Sequence, residues 1–236
     1  MHIRLSKFLR YSAQVEGKDV TIRDVFVSVD DAALRFLLLD IGSWFEPDLA
    51  LVQIDKVTSL SLVDTKLYLA IDKAAFEAAP QFRPESQDFL DRMPPVIIGP
   101  FGNTASPLMM AAAVASGKPT PDDDRAKRAD AHLKRFTDLQ GLDAFGKDGQ
   151  LGTIEDIVIS TRGFAITHVA INTAKGPSDQ QVLVPVQTLR HMARQDTHLV
   201  FDLTTSTVFD APFVPRDEPL SNDEVRALRN YFNIQK

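Results

Sequence analysis

The chain has 236 residues, of which 44% are hydrophobic and 25% are charged, a composition typical of a globular protein with about one or two domains. Its net charge of −6 is spread evenly, and nucleic-acid binding normally needs a basic face, so a general RNA or DNA binder is disfavoured. It has no cysteine, which excludes disulfides, thiolate metal sites and a cysteine nucleophile, and which fits a reducing compartment such as the cytoplasm.

The first residues, MHIRLSKFLRYS, contain basic side chains but no apolar core, so they do not predict a secretory signal. Further along, residues 21–28 read TIRDVFVS, and 132 positions later residues 153–160 read TIEDIVIS. When this offset is held from residue 21 to residue 80, 12 of 60 positions are identical, whereas composition alone gives about 3 or 4. The chain is therefore interpreted as a tandem duplication, in which Asp24 should overlay Asp156 and Leu67 should overlay Leu199.

Both copies are predicted to be β-structure. The second copy contains short, β-branched runs between turns at residues 151–160, 164–172, 182–186 and 198–203, a pattern typical of a sandwich or small barrel. Residues 146–149 (GKDG) predict a hairpin turn whose glycines are free to adopt positive φ, and residues 16–19 (EGKD) predict a shorter equivalent. Pro185 would cost a ladder hydrogen bond, which predicts an edge strand or a bulge there.

The segment between the copies is predicted to be a linker. Residues 93–117 are uncharged over 25 positions but contain four prolines, which favours a linker over a membrane span. We expect residues 94–107 to be irregular and residues 108–115 to form a short helix. The sequence TPDDD then predicts a helix that begins at Thr120 and runs to about Leu133, because Thr can cap it, Pro fits its first turn, and the acids favour its positive end.

Part of this linker is unusually apolar for a tether. Methionine-containing apolar surfaces adapt to different partners, so the stretch is expected either to be buried between the two copies or to dock a protein partner, in the same chain or in another. The candidate partner-binding residues are Phe101, Leu108, Met109, Met110 and Val114.

The C-terminus is predicted to be a helix. Ser221 and Glu224 have the spacing of a capping box, and Leu220 can contact Val225 as a hydrophobic staple. An apolar stripe follows at helical spacing, which favours packing on the core over docking to a partner. The stripe consists of Val225, Leu228, Tyr231 and Phe232.

The second copy resembles the PRC-barrel domain in four consecutive segments, GLDAFGKDGQLGTIEDIVIS, FAITHVAINT, VLVPVQTL and THLVFDLTTSTVFDAPFV. The first copy is similar to the same domain, and its residues 40–44 (DIGSW) resemble a strand end of soluble tandem PRC-barrel proteins. The family includes the cytoplasmic part of the photosynthetic reaction-centre H subunit and the C-terminal half of a bacterial ribosome-maturation factor. The resemblance implies a mainly β chain with two small PRC-type barrels, a proline-rich linker, a helix before the second barrel and a C-terminal helix.

The expected domains are a barrel at residues 1–82, a linker with short helices at 83–131, a barrel at 132–215 and a helical tail at 216–236. No catalytic, cofactor-binding or metal-binding residue is predicted. Asp24 and Asp156 are each interpreted as a carboxylate that fixes a turn by hydrogen bonding rather than as an acid or base. His168, whose counterpart in the first copy is Phe36, is interpreted as structural.

The leading hypothesis is a cytoplasmic, non-enzymatic protein-interaction or assembly adaptor, because the resemblance implies a barrel that binds within larger assemblies. Homo-oligomerisation and contact with a membrane complex remain open. The alternatives are a ribosome-associated or RNA-metabolism factor, an accessory subunit of an electron-transfer complex, and an enzyme with a site between the barrels, for which the sequence offers no residues.

Overall fold

The computed structural model describes residues 1–28, 31–40, 49–72, 96–98, 104–105, 133–173, 180–192, 198–216 and 220–234. The strands, in chain order, are β1 (His2–Arg4), β2 (Ser12–Val15), β3 (Lys18–Ser28), β4 (Ala33–Asp40), β5 (Leu49–Gln53), β6 (Val57–Ser61), β7 (Lys66–Leu69), β8 (Val96–Ile98), β9 (Thr104–Ala105), β10 (Leu133–Arg135), β11 (Asp143–Phe145), β12 (Gln150–Ser160), β13 (Ile166–Asn172), β14 (Gln180–Pro185), β15 (Leu189–Met192), β16 (His198–Phe201) and β17 (Phe213–Pro215). The α-helices are α1 (Leu5–Phe8), α2 (Phe136–Leu139), α3 (Thr205–Phe209) and α4 (Asn222–Tyr231), and 3-10 turns span Ile54–Lys56 and Val186–Thr188. The prediction of a mainly β chain is confirmed.

The strands form two sheets. One, the N-terminal sheet, has the order β6-β7-β2-β3-β4-β5-β8-β9, and the other, the C-terminal sheet, has the order β15-β16-β11-β12-β13-β14-β17. The first six strands of both sheets follow the same order when the two copies are aligned. Leu67 pairs in parallel with Ala13, and Leu199 pairs in parallel with Ala144, so the two leucines occupy equivalent positions.

The leading strands of the two copies are exchanged. β1, at the start of the first copy, pairs with β12 in the C-terminal sheet, whereas β10, at the start of the second copy, pairs with β3 in the N-terminal sheet. One compact unit consequently contains Met1–Phe8, Val29–Leu34 and Arg135–Lys236, and the other contains Leu9–Ser28 and Arg35–Lys134. The exchange places residues 1–8 in the same compact unit as the second copy.

A second segment of the first copy also joins the C-terminal unit. Ala33 forms an antiparallel bridge with Ala165, its equivalent at offset 132. The N–H of Leu34 donates to the carbonyl oxygen of Phe164 at 3.0 Å, and the N–H of Ile166 donates to that of Ala32 at 2.7 Å. The pairing is therefore reciprocal between equivalent positions of the repeat.

Both predicted hairpins are present, but the glycine in the longer turn is required for a different physical reason than the one predicted. The shorter turn has φ of 47° at Glu16 and 81° at Gly17, which matches a two-residue turn of the primed type. In the longer turn Gly146 does not have positive φ. A Cβ at that position would instead lie 2.5 Å from the carbonyl oxygen of Leu203, so the glycine permits a close backbone approach.

Three local expectations for strands and linker were wrong. Residues 94–107 are not irregular throughout, because Val96–Ile98 and Thr104–Ala105 pair as β8 and β9. Leu133 begins β10 and does not end a helix. The strand with Pro185 is flanked by both β13 and β17, and it tolerates proline because Pro185 is its last residue and β17 pairs only with residues 180–182. The predicted helices at 108–115 and 120–132 lie outside the described residues.

The C-terminal helix α4 follows the prediction. Ser221 caps it, and the reciprocal hydrogen bonds of a capping box connect Ser221 with Glu224. Val225, Leu228 and Phe232 are buried in the hydrophobic core of the C-terminal unit. The apolar stripe therefore packs on the core, as the sequence favoured.

Candidate functional site

The most elaborate polar arrangement in the described residues holds residues 1–8 against β12. The pairs are His2 with Ser160, Ile3 with Ile159, and Arg4 with Val158. The short helix α1 follows, and its Leu5 and Phe8 are fully buried. We call this binding surface the strand seat: residues 158–160 of β12, the carboxylate of Asp156, the amide of Gln181 and the carbonyl oxygen of Pro215.

Arg4 supplies a buried positive charge to the strand seat. Its residue is only 3% exposed, and its Nη2 donates to the carbonyl oxygen of Pro215 at 2.8 Å. The side-chain amide of Gln181, also buried, lies against the guanidinium, and the hydrogen-bonding pattern assigns its oxygen to this side, where it accepts from Nη1 and, at 2.9 Å, from Nη2. Since a buried cation is costly unless its donors are satisfied, these acceptors on β14 and β17 offset part of the cost of burying the guanidinium.

Asp156 fixes the turn that follows Arg4. Its Oδ1 accepts from the backbone N–H of Ser6 at 3.2 Å and from that of Ile157 at 2.8 Å, and its Oδ2 accepts from the Ser6 hydroxyl. A β-bulge lies between Ile154 and Asp156. Along β12, β11 pairs with residues 150–153 and β1 pairs with residues 158–160, so the carboxylate lies between the two paired stretches. The sequence predicted a turn-fixing carboxylate, and the structure adds that the turn lies 150 residues away in the chain.

Asp24 repeats the local part of this arrangement in the N-terminal sheet. It is fully buried, and its Oδ1 accepts from the N–H of Val25 at 2.8 Å, as Asp156 does from Ile157. Neither aspartate is an edge residue exposed to solvent. A carboxylate whose acceptor positions are occupied by backbone and hydroxyl donors acts as an anchor for the chain.

The pKa of Asp156 is raised above its ordinary value of 3.8, because burial outweighs the hydrogen bonds from Ser6 and Ile157 and the attraction of Arg4. The native state consequently binds more protons than the unfolded chain between 3.8 and the raised value. The stability that Asp156 contributes is therefore fully present below pH 3.8 and is lost as the pH rises from 3.8 through the raised pKa.

Asp156→Asn is expected to keep the stability of the protein within about 1 kcal/mol at pH 7, because the amide can accept from both N–H groups and donate to the Ser6 hydroxyl. Asp156→Asn should also remove the decrease in unfolding free energy that accompanies ionisation of the Asp156 carboxyl as the pH rises. Asp156→Ala should lose about 2 kcal/mol, since it leaves two backbone donors without this acceptor. Urea unfolding between pH 4 and pH 7 measures both changes, and equal losses for Asn and Ala would contradict the anchoring role.

His168 lies on the same face of the sheet as Arg4, because Arg4 pairs with Val158 and Val158 pairs with His168. It is 1% exposed, and its Nδ1 lies 3.1 Å from the hydroxyl of Thr167, which donates to the carbonyl oxygen of Val158. Nδ1 is therefore the protonated nitrogen, and no described protein atom forms a hydrogen bond with Nε2. Burial, with the nearby positive charges of His2 and Arg229, lowers the pKa of His168 from 6.5 to about 4.

The hydrogen bonds of this arrangement hold one segment of the chain against another. Arg4, Gln181 and Asp156 each contact backbone or side-chain groups of another chain segment. Among the described residues, no cluster of three or more histidine or acidic side chains has metal-binding geometry. His168 is buried, which agrees with its interpretation from the sequence as a structural residue.

The sequence-predicted partner-binding residues are not tested by the structure. Phe101, Leu108, Met109, Met110 and Val114 all lie outside the described residues. Conversely, sequence reasoning missed Arg4, His2 and Gln181. The available signal was the similarity between HIRLSKF and LKRFTDL at offset 131, which places Arg4 and Arg135 at equivalent positions of the two leading segments.

The fold and the strand seat define a small β-domain that is completed by a strand from elsewhere in the chain. Residues 132–206, about a third of the chain, match the model of the PRC-barrel domain family, so this segment is a PRC-barrel domain. The resemblance noted in the sequence is confirmed for the second copy. No curated protein matches the chain. No helix among the described residues has both the length and the apolar character needed to cross a membrane.

Proposed function

We propose that this protein is a non-enzymatic adaptor that assembles a protein complex in the cytoplasm through two PRC-type barrels. The observation that carries the proposal is the PRC-barrel match at residues 132–206 together with the recurrence of its strand order in the N-terminal sheet. PRC-barrels generally act as interaction domains. A duplicated interaction domain provides two binding surfaces on one chain, which is what an adaptor requires.

The polar chemistry of the C-terminal unit supports binding as the activity. The buried groups that would be candidates for catalysis, Asp156 and His168, are an anchor for the Ser6 turn and a neutral imidazole bonded to Thr167. The apolar linker residues, among them Met110, supply the partner-binding surface in this proposal. Burial of one such Leu or Met side chain stabilises a complex by about 1.5–3 kcal/mol.

The proposal is tested by affinity capture with the full-length protein, comparing the wild type with Met110→Asp. The matched control is Val63→Asp, because Val63 is 93% exposed in the turn between β6 and β7 and its replacement makes a similar apolar-to-acid change. We expect a defined set of proteins to be captured by the wild type and Val63→Asp but lost from Met110→Asp, with unchanged thermal unfolding of all three. Recovery of ribosomal proteins alone, or of no protein, would overturn the adaptor function, and equal capture by Met110→Asp would overturn the role of the linker.

A further inference from the structure

We propose that the strand seat is a peptide-binding site that accepts residues 1–8 of a second copy of this chain, so that two copies exchange their leading strands. The proposal concerns the PRC-barrel domain itself and does not depend on the adaptor function. The occupant seen in the structure is the segment MHIRLSKF of the same chain.

The strand seat recognises a definite pattern of side chains. Backbone pairing with residues 158–160 accepts an extended strand, which is the β-augmentation mode of peptide recognition. Gln181 and the Pro215 carbonyl accept from an arginine, and Asp156 accepts from the N–H and hydroxyl of a serine two positions later. The ligand class is therefore a short strand that ends at an arginine and continues into a helical turn, with the order Arg-x-Ser.

The apolar part of the seat extends this pattern by one turn. Leu5 and Phe8 are fully buried in the C-terminal unit, and the Phe8 ring lies edge-on to Phe164 with centroids 6.1 Å apart. The occupant must therefore supply an apolar residue directly after the arginine and an aromatic residue two positions after the serine. Residues 1–8 of any copy of this chain meet all of these requirements.

The exchange within one chain is the reason to choose a second copy as the partner. Residues 1–8 are grouped in the C-terminal unit, but Leu9, the next residue, is grouped in the other unit, and β10 makes the reciprocal exchange. Reciprocal exchange of an identical element between like domains is the arrangement of a domain-swapped dimer. The contacts broken when residues 1–8 leave their own seat are the contacts formed in the seat of another copy. Only the effective concentration set by the tether favours the seat in the same chain, so exchange between copies should increase with protein concentration.

Disulfide trapping can test this proposal cleanly because the natural chain contains no cysteine. A full-length His2→Cys chain is mixed with a full-length Ser160→Cys chain and incubated in a glutathione redox buffer, since His2 and Ser160 are direct partners across β1 and β12. We expect a reducible heterodimer whose yield increases with concentration and whose crosslink joins positions 2 and 160 in mass spectrometry. The chain with both substitutions, which should form the same crosslink internally, is the positive control for geometry.

A mixture of Val63→Cys and Ser160→Cys chains measures random collision, because Val63 is exposed and is not a partner of β12. Ile3→Cys with Ile159→Cys provides a second register pair if substitution of His2 or Ser160 disturbs folding. A heterodimer yield no greater than that of the Val63 mixture, in both pairs, would overturn the proposal. Trapping of a synthetic peptide with the sequence of residues 1–8 and cysteine at position 2, without trapping between full-length chains, would also overturn it, because the second copy would then be excluded.

Discussion

Arg4→Met is expected to lower the free energy of unfolding by about 3 kcal/mol, the largest effect among the polar groups that hold residues 1–8 in the strand seat. The substitution removes the donor for the Pro215 carbonyl, which is partly buried, and for Gln181, which is buried. It also removes the positive charge that attracts the buried carboxylate of Asp156. The measurement is urea unfolding at pH 7, with amide hydrogen exchange at β1 as a local readout of strand seating.

The matched control is Arg226→Met on α4. Its side chain is 73% exposed, and its ion pair with Asp223 spans 3.3 Å between two solvated groups, so we expect a change below about 0.5 kcal/mol. Arg4→Lys should be intermediate, because lysine keeps the charge but cannot reproduce the forked contacts of arginine. Full stability in Arg4→Met, or equal losses in the Arg4 and Arg226 variants, would show that the buried guanidinium does not hold residues 1–8.

The second large effect expected is an acid-induced loss of stability of about 3 kcal/mol between pH 6.5 and pH 4 from His168 alone. Burial and the charges of His2 and Arg229 lower the pKa of His168 to about 4, whereas the unfolded chain protonates it near 6.5. In this window the unfolded chain binds a proton that the native state does not. The stability contributed by His168 is therefore complete above 6.5 and is lost as the pH falls toward 4.

His168→Phe isolates this contribution, because it places the side chain of Phe36, the equivalent residue of the first copy, in the second. The difference in unfolding free energy between wild type and variant should decrease with falling pH by about 3 kcal/mol, in favour of the variant. Asp156 acts in the opposite direction in both proteins, so its effect cancels in the difference. His168→Leu is a second variant for the same comparison, and parallel pH profiles of wild type and both variants would contradict the assignment.

The parts of the candidate site that the sequence predicted are those with a local or repeated signal. Asp24 and Asp156 recur two positions after Thr-Ile in both copies, which predicts a shared role, and the replacement of His168 by Phe36 in the first copy predicts a structural residue. Arg4 could not be predicted in this way. An arginine among other basic residues is usually exposed, and its burial depends on acceptors at Gln181 and Pro215, which come from β14 and β17.

The sequence by itself determined the β-rich fold, the short and long hairpins, and the capped C-terminal helix, and the shared strand order of the two sheets agrees with the predicted duplication at offset 132. These features depend on residue periodicity and on partners a few positions away, as in the capping box of Ser221 and Glu224. Only the tertiary structure decided which sheet each leading strand joins. HIRLSKF and LKRFTDL have similar local patterns, and either could add to β3 or β12. The choice depends on distant contacts such as Ser6 with Asp156 and Arg4 with Pro215, and no local pattern records a partner 150 or more residues away.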